Sequence, residues 1–115
     1  MDLMNEAAIR RYPELRDLMA VREAGWTFRP LYDERELAGI AGSFSRQQYT
    51  DALFVFDRTN VSAARVLDDA YGGGCLWFRQ RADLREVIQD ILGLPEPGQP
   101  GAPYLVKRSS LLWTP

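Results

Sequence analysis

A chain of 115 residues, 46% hydrophobic and 26% charged, has the size and make-up of one folded domain, which argues against both global disorder and a multidomain protein. The net charge of −2 carries no long run of one sign, so the electrostatic footprint of a nucleic-acid binder is missing, and no apolar run nears the roughly 20 residues of a membrane-crossing helix. Histidine is absent and Cys75 is the single cysteine. That removes Ser–His and Cys–His nucleophile systems, ordinary zinc sites and an internal disulfide.

The opening "MDLMNEAAIRRYPELR" is acidic and polar and does not read as a signal peptide, so a cytoplasmic protein is expected. Residues 3 to 11 suit a first helical turn, separated by Pro13 from a helix that starts there and stops at Gly25. Leu15, Leu18 and Met19 have helical spacing. "WTFRPL" alternates, with Trp26 and Phe28 on one side, and reads as a strand closed by Pro30. "ERELAGIAGSFS" reads as a second strand through Leu37, Ala38, Ile40 and Ala41, with a short helix as the competing reading. "SRQQY" reads as a loop or one helical turn.

"DALFVFD" is the clearest strand, apolar on both faces and therefore expected at the sheet centre. Asp57 to Asn60 turn the chain, and "VSAARVLD" returns as an antiparallel partner. "CLWFRQR" forms a further strand, with Leu76 and Phe78 on one side and Cys75, Trp77 and Arg79 on the other. In "DLREVIQDILG", Leu84, Val87, Ile88, Ile91 and Leu92 make one apolar stripe, Asp83 and Glu86 have capping-box spacing, and Gly93 with Pro95 ends the helix. The proline-rich stretch that follows predicts an extended, polyproline-II-like tail.

The fold class expected is α+β: an antiparallel four- to five-stranded sheet flanked by an N-terminal and a C-terminal helix, with a Pro/Gly-rich tail. Residues 1–94 form the domain. Residues 95–115 form the tail, docked on the domain or on a partner subunit.

"DDAYGGGCLWFRQ" raises phosphate binding, but a phosphate loop needs a helix after its glycines, and here a strand follows without a Lys–Ser or Lys–Thr pair. A turn that starts a strand is the reading adopted, with Cys75 packed as a small hydrophobe. Asp33, Glu34 and Glu36, and Asp68 with Asp69, read as solubilising loop charge. No catalytic, cofactor or metal residue is assigned, and no cofactor is expected.

Two surfaces remain. Leu53, Val55 and Trp77 are expected on a sheet face without helices, joined by Tyr104, Leu112 and Trp113 of the tail, as an interaction surface for a second copy or another protein. A pocket between sheet and helices, lined by Trp26, Tyr49, Phe54, Arg65 and Trp77, is the alternative, and implies a small-molecule-binding protein. An enzyme built on carboxylates, tyrosine and arginine is a third reading. "GWTFRPL", "DALFVFD", "AARV", "LWF", "LREVIQDILGLPEPG" and "GAPYLV" resemble short actinobacterial α+β proteins over about residues 25 to 106. Arginine-rich basic usage, with Lys107 the only lysine, fits that bacterial resemblance. The resemblance implies no activity and transfers no functional residue. The function expected is a non-catalytic interaction or regulatory module, homodimeric, without nucleic acid or membrane.

Overall fold

The computed structural model describes residues 5–68 and 73–105. Helix α1 (Glu6–Arg11) is capped by Asn5, whose side-chain oxygen accepts from the Ala8 N–H at 2.8 Å. Helix α2 (Leu15–Glu23) begins two residues after Pro13, because Tyr12 to Asp17 first make tighter three-residue hydrogen bonds. It ends at Ala24, and Gly25 takes a φ of 101°, the left-handed exit that glycine favours.

Five strands follow: β1 (Thr27–Asp33), β2 (Glu36–Arg46), β3 (Tyr49–Asp57), β4 (Asn60–Leu67) and β5 (Gly74–Ala82). They pair in sequence order as an antiparallel meander, and α3 (Leu84–Gly93) closes the domain. The α+β arrangement holds, with five strands.

Three local expectations change. β1 runs through Pro30 instead of stopping there, because β1 is an edge strand and a proline in it has an unpaired side available. "ELAGIAGSFSR" is one long strand, so the loop expected at "SRQQY" shrinks to Gln47 and Gln48, with Gln47 at a φ of 51°. The tail after Pro95 is not simply extended. Gln99 N–H donates to the Glu96 carbonyl and Ala102 N–H to the Gln99 carbonyl, both at 3.0 Å. Pro97-Gly98 and Pro100-Gly101 therefore occupy the centres of two successive β-turns. Gly98 and Gly101 at φ 87° and 84° fit the type II pattern, in which proline presets the first corner and glycine takes the second.

Helices α2 and α3 cover one sheet face. Leu15, Leu18 and Val21 of α2 meet Leu84, Val87, Ile88 and Ile91 of α3 over Ile40, Leu53, Val55, Val61 and Ala63. Leu92, expected in the same stripe, is 39% exposed and lies at its edge. Asp83 caps α3 through the Arg85 N–H, whereas Glu86 turns outward to Arg79. The Leu84 N–H donates to the Arg58 carbonyl at 2.8 Å and ties the helix start to the β3–β4 turn. Gly42 leaves room for the Phe28 ring, which would lie 2.5 Å from a Cβ there.

Candidate functional site

Strand parity decides what each face offers. Opposed residues of an antiparallel pair share a face, so the register gives two cross-strand rows on the bare side, which carries no helix among the described residues. One row is Arg29–Ala41–Phe54–Ser62, and the next is Thr27–Ser43–Ala52–Ala64–Phe78. Across β2, β3 and β4 these positions are small or aromatic and carry no charge. Phe54 and Phe56 stand out from them, 38% and 49% exposed, with the Phe56 ring close over Gly39. Beside Phe54 lies a hollow of about 260 Å³ bordered by Thr27, Arg29, Ala41, Ser43 and Ala52.

The expected faces of β3 are thus reversed. Leu53 and Val55 lie under the helices and are buried, while Phe54 and Phe56 are on the bare side. Trp77 also packs on the helix side, half-buried. A β-bulge explains β5: Arg65 faces Trp77 and Val66 faces Cys75, leaving Leu76 as the extra residue. Cys75 and Trp77 therefore do not share a face as simple alternation required. Tyr104 is 80% exposed. Leu112 and Trp113 lie outside the described residues.

The expected pocket between sheet and helices does not assemble as a set. Phe54 is on the other face. Trp26 is buried and stacked on Phe44, with ring centroids 6.4 Å apart and planes 19° from parallel. Arg65, only 1% exposed, already has a partner on each of its three nitrogens. Its Nε and Nη2 donate to the two Asp51 carboxylate oxygens at 2.8 and 3.0 Å, and its Nη1 donates to the Pro95 carbonyl at 2.6 Å. Phe44, Asp51, Arg65 and Trp77 are direct cross-strand neighbours in one row. The fork of Arg65 thereby fastens the start of the tail to the sheet.

Arg46 extends this network to the surface. Its guanidinium carbon lies 4.7 Å from the Phe44 ring centre, and its Nη2 donates to Asp51 at 3.0 Å. The Arg46 Nε is 2.6 Å from a Glu96 carboxylate oxygen, but that oxygen lies off the N–H direction. The contact is one of charge, and the buried N–H has no hydrogen-bond acceptor among the described residues. Arg46, Gln47, Tyr49, Glu96 and Pro97 border an open hollow of about 270 Å³. Tyr49, expected in the pocket, thus lies at this rim. Nothing in the sequence singled out Arg46 or Glu96; the weak signal was the apolar–basic alternation of "FSR" ahead of the turn.

The glycine-rich segment starts a strand. Gly73 has a φ of 61°, Gly74 opens β5, and a Cβ on Gly73 would fall 1.8 Å from the Leu67 carbonyl oxygen. Residues 69–72 lie outside the described residues. The buried Cys75 thiol donates to the Trp77 carbonyl at 3.2 Å. Asp33, Glu34 and Glu36 are exposed around the β1–β2 turn. Among the described residues no group of three or more acidic or cysteine side chains is placed to hold a metal ion, and no helix is long and apolar enough to cross a membrane. Asp57 caps its own turn by accepting from the Thr59 N–H and hydroxyl at 2.8 and 3.1 Å, which holds its carboxyl below the ordinary carboxylate range. No family model matches the chain, and comparison with the curated proteins and with the solved structures found no match.

Proposed function

We propose that the protein is a non-catalytic interaction module that pairs with a second copy of itself through the bare sheet face. The observation that carries this reading is the uncharged centre of that face with Phe54 and Phe56 standing out of it. Exposed apolar surface of this kind in a small domain marks a contact site.

Three features favour a second copy as the occupant. The face has a projection and a hollow side by side, the self-complementarity that a two-fold interface requires. The hollow of about 260 Å³ can take a phenyl ring, since a cavity of about 150 Å³ accommodates benzene. The area is also adequate: five strands about 4.8 Å apart and seven residues of about 3.3 Å give roughly 550 Å² of projected face. Two such faces bury about 1,100 Å², at the lower edge of stable interfaces, so a modest affinity is expected. Packed face to face, the two sheets form a sandwich with helices outside.

Sedimentation equilibrium from low micromolar to millimolar concentration tests this. Wild type is expected to dimerise and Phe54→Asp to remain monomeric. Met19→Asp, on the exposed side of α2, is expected to dimerise as wild type does. A monomer throughout the range, or a dimer indifferent to Phe54→Asp, would refute the reading.

A further inference from the structure

We propose that Arg46 is a carboxylate-binding site held in cis by Glu96, and that its external ligand is an acidic side chain or a small organic acid. This rests on different residues from the sheet-face contact and stands or falls separately.

The guanidinium is prepared for a ligand. The cation–π contact with Phe44, itself stacked on Trp26, and the Asp51 hydrogen bond at 3.0 Å hold the guanidinium at two points. Little side-chain entropy is left to lose on binding, the usual cost of recruiting an arginine. The side chain is 20% exposed and opens on the hollow beside Gln47 and Tyr49. A planar fork of this kind recognises carboxylates by paired hydrogen bonds.

The resident carboxylate uses the site poorly. Glu96 lies close enough for charge attraction but does not accept from the buried Nε–H. An orphaned buried donor is uncommon and calls for an explanation. Here the backbone supplies it. The Glu96 carbonyl is committed to the first Pro-Gly turn, and the Pro95 carbonyl just before it is pinned by Arg65. The Glu96 backbone is therefore fixed, and its side chain reaches Arg46 from a tethered Cα. A carboxylate free of that tether can align with the donor, and Glu96, 63% exposed, can swing into water without breaking the turn. The hollow of about 270 Å³ sits just under the usual range for small-molecule sites, which suits one acidic group and a short stem.

The test uses the full chain and nuclear magnetic resonance, following the Arg46 Nε–H and the Gln47 and Tyr49 amides. The probes are glutarate and the blocked peptide acetyl-Ala-Glu-Ala-amide, with sodium chloride at matched ionic strength as control. Saturable shifts are expected at Arg46 and its rim. Glu96→Gln removes the internal competitor and should tighten binding by about tenfold, the factor for a site held in cis about nine-tenths of the time. Arg46→Lys keeps the charge but loses the planar fork, and should abolish saturation while the remaining amide spectrum stays folded. Tighter binding of the peptide identifies a protein side chain as the preferred source, and equal affinities identify free acids. Absence of saturable shifts in Glu96→Gln, equal shifts with chloride, or unchanged binding in Arg46→Lys would each overturn the proposal.

Discussion

Replacing Arg65 by methionine tests the physical centre of the fold. The substitution keeps a long apolar stem but deletes three hydrogen bonds, two to Asp51 and one to the Pro95 carbonyl. Asp51 would stay buried with Arg46 as its remaining cation. Removing one partner of a buried ion pair costs about 3–5 kcal/mol, and the surviving Arg46 contact places this case near the lower end. The stranded Pro95 carbonyl adds about 1 kcal/mol. The expected loss is about 4 kcal/mol, a large part of the roughly 5–15 kcal/mol that holds a domain together. Urea unfolding followed by tryptophan fluorescence suits the measurement, since Trp77 lies opposite Arg65 and Trp26 stacks on Phe44 in the same row. The midpoint should fall with little change in slope. The double variant Asp51→Leu, Arg65→Met removes both charges and should recover about 2 kcal/mol relative to Arg65→Met, because an apolar pair of similar volume is commonly tolerated. A single-variant loss below about 1 kcal/mol, or two losses that simply add, would show that the network does not hold the sheet as argued.

Gly73→Ala should destabilise by at least about 2 kcal/mol in the same assay, combining a left-handed φ with a close approach to the Leu67 carbonyl. Gly98→Ala, also left-handed but in open space, should cost about 1 kcal/mol; equal costs at both positions would remove the steric argument. Asp57 supplies a pH test. Its folded carboxyl lies below the ordinary range because the Thr59 N–H and hydroxyl favour the charged form. Its contribution is therefore complete above the unfolded carboxyl pKa of about 3.9 and disappears as pH falls through the lower folded value. The stability gap between wild type and Asp57→Ala should shrink between pH 5 and pH 2, at values of about these magnitudes; a gap constant with pH would contradict the turn chemistry.

The periodicity of "DLREVIQDILG" and the short, continuous apolar run of "DALFVFD" were sufficient for the last helix and the central strand, because period, run length and flanking turn residues are local properties. Absence of histidine likewise removed Ser–His and Cys–His nucleophile systems from consideration. Three outcomes depended on tertiary contacts. β3 is apolar on both sides, so parity alone was silent on which side the helices cover; Asp51, which needs Arg65, goes inward with Leu53 and Val55 and leaves Phe54 outside. The bulge at Leu76 shifted the β5 faces by one residue, an effect of strand pairing and not of composition. The Arg46–Glu96 contact joins positions 50 residues apart. Charge pairs of that separation become neighbours only when the sheet register and the turn after α3 have both formed, so no local pattern encodes them.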